Sequence, residues 1–174
     1  MIAFFKQLNL IFDRTIEQEA GEILIKSGKT LATAESCTGG LVSSLMTDVS
    51  GSSAYVKANF VTYANEAKVK YLNVSETTLQ NFGAVSNQTA SEMTMGLLEN
   101  TNCDYALVTT GIAGPTGGSD EKPVGLVYIG VGSKNNVQVF KFNVNPKYPR
   151  PLIKYMFAKH AIKLLTDFLK ENEQ

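Results

Sequence analysis

"TAESCTGG", residues 33–40, follows the apolar pair Leu31-Ala32 and leads into apolar and small residues from Leu41 to Val49. Residues 31–34 read as a short buried strand and Leu41 onward as a helix, so the octet is the first strand-to-helix crossing of the chain. At such a crossing the N–H groups of the first helical turn have no partner inside the helix and point at whatever occupies the turn.

Two readings of the octet stand side by side. In one, Ser36 attacks a carbonyl, the N–H groups near Thr38, Gly39 and Gly40 hold the oxyanion, and the glycines let the backbone approach without a Cβ in the way. In the other, Ser36 or Thr38 is the N-cap of the following helix and the glycines serve only the turn. Cys37 divides in the same way: a thiol at a helix N-terminus can be a nucleophile of lowered pKa, while free cysteine is also among the most buried residue types.

Working outward, residues 5–27 carry Leu8, Ile11, Phe12, Ile16, Ala20, Ile23 and Leu24 at helical steps, with a break allowed near Asn9 and a stop at Ser27-Gly28. Strands are expected near 31–34, 57–63, 104–110, 124–131 and 137–144, the last two joined as a hairpin by Ser133 to Asn136. Helices are expected from Leu41, from near Asn65, from Ser75 to Gly83, from Ser86 with a stripe of Ala90, Met93, Leu97 and Leu98, and over 151–170. Helices alternating with strands and ending in a hairpin predict an α/β fold, a mixed sheet of about five strands covered on both faces. The whole chain, residues 1–174, reads as one domain: a long N-terminal helix at 5–27, a core at 31–145 and a C-terminal helix at 151–170.

The bulk numbers exclude several classes. Sixteen basic residues balance sixteen acidic ones, so no net field draws the chain to nucleic acid or to an anionic membrane. Two cysteines, Cys37 and Cys103, and the lone His160 give neither a disulfide framework nor a metal site, and no cofactor is expected. The N-terminal stretch has neither a cleavage site after a basic start nor a membrane-spanning run, which gives the expectation of a soluble cytoplasmic protein.

A serine nucleophile needs a base, and His160, in the terminal helix, gives the imidazole triad little support. "TYANEAK", residues 62–68, offers Tyr63 at a strand end and Lys68 just over a helical turn later, with Asn65 between them as a cap or an amide ligand. Against this stands the ordinary fate of a helical lysine, which is solvation.

The second glycine-rich loop, "TTGIAGPTGGSDEKPVG", residues 109–125, supplies hydroxyls at Thr109 and Thr110, and Gly111, Gly114, Gly117 and Gly118 free it to wrap an anion or a sugar. It has neither the Gly-Lys-Ser ending of a triphosphate loop nor a dinucleotide fingerprint, and a plain flexible turn is the competing reading. Asp120 and Glu121 read as solvent-facing, and Lys122 as solvent-facing or reaching a phosphate. Arg150 stands where the last helix begins, so its fork can hold a phosphate there or pair with a surface acid. It is one of two arginines, the other being Arg14, against fourteen lysines.

Taken together, residues 33–68, "GAVSNQTASEM" at 83–93 and residues 109–129 resemble the CinA C-terminal domain family, the competence/damage-inducible proteins whose small members include the bacterial nicotinamide-nucleotide amidase. The resemblance implies a three-layer α/β/α sandwich, assembled as a homodimer, that hydrolyses the carboxamide of nicotinamide mononucleotide to nicotinate mononucleotide and ammonia. It implies Ser36 as nucleophile, Tyr63 and Lys68 as proton carriers, and Thr110 with the glycines after it in the substrate pocket. Longer relatives carry a further N-terminal domain similar to molybdopterin-binding proteins, for which this chain is expected to have no room. The pattern departs at "KYPRPLIK", residues 147–154, where relatives have Gly-Asp-Arg and a second arginine one turn on: Arg150 is kept and Lys154 takes the second place, a charge without the planar fork. The competing function is a catalytically silent nucleotide-binding or protein-interaction module.

Overall fold

The computed structural model describes residues 14–173, so the part of the expected N-terminal helix before residue 14 lies outside the described residues. In chain order the elements are α1 (Thr15–Ser27), β1 (Leu31–Glu35), α2 (Leu41–Thr47), a 3-10 turn (Ser52–Ala54), β2 (Val56–Val61), α3 (Asn65–Leu72), α4 (Glu76–Phe82), α5 (Asn87–Thr101), β3 (Tyr105–Gly111), β4 (Leu126–Ser133), β5 (Asn136–Asn143) and α6 (Arg150–Asn172). The sheet order is β2-β1-β3-β4-β5, with β1 parallel to β2 and β3, and β3-β4 and β4-β5 antiparallel. This is the expected mixed sheet, each strand within about two residues of its predicted bounds.

Two apolar clusters cover the two faces. Leu31, Leu107, Val127 and Ile129 join residues of α1, α2 and α6 on one side, while Ala32, Ala34, Ala106 and Val108 join α3 and α5 on the other. The helices form because their apolar residues recur at helical spacing: the α5 stripe Ala90, Met93, Leu97 and Leu98 is buried as expected. Ser75 and Ser86 cap α4 and α5 by accepting the N–H of Thr77 and Thr89, and Gly28, at φ 66°, ends α1 in the left-handed conformation. Gly96 has its use in packing, since a Cβ there would lie 1.7 Å from the carbonyl oxygen of Leu72 where α3 crosses α5.

A buried ion pair ties α1 to α6. Lys159 Nζ donates to Glu17 Oε1 at 2.5 Å, with side chains 0% and 5% exposed, while Glu17 Oε2 has no hydrogen-bond partner. Removing one partner strands a buried charge, so Lys159→Met is expected to cost about 3–5 kcal/mol, read as a fall in the urea midpoint at constant slope. Adding Glu17→Leu to that variant should recover most of the loss, and a double variant as unstable as the single one would show that the pair's charge is not what matters.

Candidate active site

The C-terminal ends of the parallel strands β1 and β3 deliver the two glycine-rich loops to one place. Ser36 N–H donates to Thr109 O at 3.0 Å, which extends the β1–β3 ladder one step into the first loop. Ser36, Cys37, Tyr63 and Lys68 together with Thr110–Ala113, Gly114 and Arg150 line a cleft of about 240 Å3. Larger cavities lie between α3 and α4, about 370 Å3, and between α1 and α2, about 640 Å3, but neither contains Ser36 or Lys68.

Strand alternation sends Ser36 to the α3 side, where Lys68 waits. Lys68 is fully buried, and its ammonium donates to Ser36 Oγ at 3.2 Å, to Thr62 O at 2.7 Å and to Tyr63 O at 3.3 Å. Burial disfavours the charged amine and pulls its pKa down to about 8. Once neutral, the amine keeps two hydrogens for the two carbonyls, which turns its lone pair toward Ser36; the hydrogen bond then runs from Ser36 to Lys68.

Cys37 also borders the cleft but is 5% exposed, and burial pushes its thiol up to about 12. Burial outweighs the lowering influence of Lys68 and of the thiol's own hydrogen bonds, so the thiol stays protonated and is a poor nucleophile, whereas Ser36 meets Lys68 directly.

The turn itself differs from both sequence readings. The N-cap of α2 is Gly40, at φ 99°, and neither Ser36 nor Thr38 caps the helix. Glu35, not singled out in the sequence, does so from five residues upstream: its carboxylate accepts the N–H of Gly40, Val42 and Ser43 and the hydroxyl of Ser43. Gly39 N–H donates to Ser36 O at 3.2 Å, and Thr38 is buried with its hydroxyl 2.7 Å from that of Thr109. Gly39 and Gly40 therefore have no N–H to offer an oxyanion, and Thr38, Gly39 and Gly40 do not line the cleft. Cys37 and Thr38 are the residues of the turn whose N–H groups carry no bond to another residue among the described residues.

Asn65 is placed elsewhere, and Tyr63 lines the cleft without its hydroxyl meeting Ser36 or Lys68. Asn65 opens α3 after an Ala64 N-cap and, sharing a face with Val69, lines the cavity between α3 and α4 in place of the Ser36 cleft. Tyr63 is 61% exposed; its hydroxyl accepts from Arg150 Nη2 at 3.0 Å, and only its carbonyl reaches Lys68. Its side chain belongs to the rim of the cleft, and it is the main chain of Tyr63 that contacts Lys68.

Arg150, the first residue of α6, spans the mouth by donating to Gly114 O at 2.6 Å and to Tyr63 Oη. Two of its five N–H donors are thereby used. Lys154, one turn on, brings its Nζ to 3.2 Å from where a Gly39 Cβ would stand. Thr110 and Gly111 line the cleft wall; the Thr110 hydroxyl donates to Ala84 O at 2.7 Å, and a Gly111 Cβ would lie 2.5 Å from Leu126 O. Lys122 donates to Phe82 O at 2.5 Å, outside the cleft. His160 is turned to Met156 O and the ring of Phe142 and does not line the cleft. Among the described residues no group of His, Cys, Asp and Glu is clustered as for a metal ion, and no helix is long and apolar enough to cross a membrane.

Comparison with known proteins follows the same lines. The family model described as "CinA C-terminal domain" matches residues 13–169. A CinA-like protein of Endomicrobium trichonymphae is 53% identical over 129 residues, 74% of this chain and 30% of the relative. The chain spans between 30% and 38% of the length of the first curated relatives it matches. Among solved structures, the competence/damage inducible protein CihA of Agrobacterium tumefaciens superposes with a TM-score of 0.83 at 42% identity, covering 89% of this chain and 95% of that one. A CinA superfamily protein of Klebsiella pneumoniae reaches 0.86 at 28% identity, with 91% and 98% covered.

Proposed function

We propose that this chain, which belongs to the CinA C-terminal domain family, is an amidase that hydrolyses the carboxamide of nicotinamide mononucleotide to nicotinate mononucleotide and ammonia. The observation that carries the reading is the contact of Ser36 Oγ with a buried lysine whose other two bonds are to main-chain carbonyls. A solvated surface lysine has no such surroundings.

The steps follow from that geometry. As Ser36 Oγ bonds to the carboxamide carbon, its proton passes to Lys68 Nζ, and the carbonyl oxygen takes up the electron pair facing the N–H of Cys37, which borders the cleft. Collapse of the tetrahedral adduct expels the amide nitrogen, which takes the proton from Lys68 and leaves as ammonia. Water then attacks the nicotinoyl ester, gives its proton to Lys68, and the acid departs as Ser36 is reprotonated. No metal or cofactor enters this scheme. The reading extends to a cytoplasmic homodimer that takes a small-molecule nucleotide and no nucleic acid.

A cleft of about 240 Å3 is smaller than the roughly 300–1,000 Å3 that buries a whole drug-sized ligand. The pyridine carboxamide fits inside and the phosphate comes to the rim, where Arg150 begins a helix and Lys154 follows. The test is ammonia release from the mononucleotide, its riboside and free nicotinamide. Arg150→Ala is expected to raise KM for the mononucleotide about tenfold or more and to leave the riboside nearly unchanged. Equal losses on both would assign Arg150 to the Tyr63–Gly114 closure and not to phosphate.

A further inference from the structure

Glu35 ends β1 with its side chain completely buried. Its Oε2 accepts the N–H of Gly40 at 2.9 Å and of Val42 at 3.1 Å, and its Oε1 accepts Ser43 N–H at 2.8 Å and Ser43 Oγ–H at 2.6 Å. A helix start of this size needs far less: Ser75 and Ser86 each cap with a single hydroxyl. A carboxylate taken wholly out of water is costly unless fully bonded, and an apolar side chain would fill the space without that demand.

We infer that Glu35 is a positioning residue that fixes the Ser36–Gly40 turn in the shape needed for attack, an inference that rests on Ser36 being the nucleophile. Alternation along the strand turns Glu35 toward α2 and Ser36 toward Lys68 on the opposite face. The peptide joining them is held from both sides: Thr62 N–H donates to Glu35 O at 2.8 Å and Ser36 N–H donates to Thr109 O at 3.0 Å. The carboxylate closes the remaining side by pulling Gly40, Val42 and Ser43 back onto the strand end. Gly39 and Gly40, at φ 63° and 99°, are the soft joints of this turn, and without the carboxylate nothing else in it restrains Gly40 N–H. With the carboxylate in place, the backbone of Ser36 and the N–H of Cys37, which both border the cleft, keep a fixed direction.

The experiment measures the rate at which a fluorophosphonate labels Ser36, in which Oγ displaces fluoride from phosphorus and the serine proton leaves to Lys68. It compares the full chain with Glu35→Gln and Ser43→Ala, at a temperature where circular dichroism shows each to be folded, and measures kcat and KM on the amide alongside. Loss of the turn's fixed geometry is expected to slow labelling and kcat about 100-fold in Glu35→Gln, with KM within about threefold. Ser43→Ala, which loses one of the four bonds, should slow labelling by about 3–10-fold. Labelling per folded molecule at the native rate in Glu35→Gln would overturn the inference, because a residue needed only for stability changes the folded fraction and not this rate. Should Glu35→Gln not fold, an unchanged rate in Ser43→Ala overturns it equally. A native protein that is labelled on Ser36 but releases no ammonia from the mononucleotide would sink the amidase reading, while the labelling ratio still decides the part played by Glu35.

Discussion

Lys68→Met is expected, under the proposed mechanism, to lower kcat for the mononucleotide by about a thousandfold while KM stays near its native value, because methionine fills the buried space beside Ser36 and can neither take nor return a proton. The native enzyme should show activity that climbs with pH and levels off above the Lys68 pKa of about 8, and the residual activity of Lys68→Met should lack that inflection. At pH 7 only about one-tenth of the lysine is in the neutral form that accepts the serine proton. Stability moves in the same direction: the folded-state pKa of about 8 lies below the ordinary 10.5, so the unfolded chain binds more protons between those two values. The burial penalty on the ammonium is full below pH 8 and is relieved as pH rises through that window. An inflection unchanged in Lys68→Met would assign the titration to another group and take the base role from Lys68.

Ser36→Ala is expected to abolish the chemical step, a loss of at least about 10^4 in kcat, and still to bind the mononucleotide measurably, since the pocket walls and Arg150 are untouched. Cys37→Ala should keep most turnover, as a thiol pushed up to about 12 by burial supplies almost no thiolate at neutral pH. Acid quench during turnover followed by peptide mass spectrometry locates the nicotinoyl ester. An adduct on Cys37, or an active Ser36→Ala enzyme, would overturn the assignment. Binding without turnover in the native protein would instead favour the silent module.

How much of this was legible in the sequence depends on whether the signal was local. The caps at Ser75 and Ser86, the stop at Gly28 and the stripe on α5 could be read because each is set within a few residues. The approach of Lys68 to Ser36 was readable as chemistry, a serine without a histidine, though the contact spans 32 positions. What escaped notice depends on which way side chains turn. All five residues of β1 are buried, so the polar Thr33 and Glu35 gave no hint that one face of the strand serves α2 and the other the cleft. Nearness in sequence to Lys68 does not decide orientation: Asn65 faces the cavity between α3 and α4, and the Tyr63 hydroxyl meets Arg150 at the rim of the cleft. The expected oxyanion donors are lost for a related reason: Glu35 takes the N–H of Gly40, the Ser36 carbonyl takes that of Gly39, and Thr38 is buried away from the cleft.

The buried bond between Glu17 and Lys159 also sets a timetable for synthesis. The two residues are 142 positions apart, and a chain made from its N-terminus presents Glu17 long before Lys159 exists. At about 5–20 residues per second, the carboxylate waits on the order of ten seconds for its partner to be made. Until then α1 carries an acid on the side meant for the interior, which opposes its docking on an unfinished sheet. Burial of α1 is thereby held back until α6 is translated, and the two helices close on the sheet together.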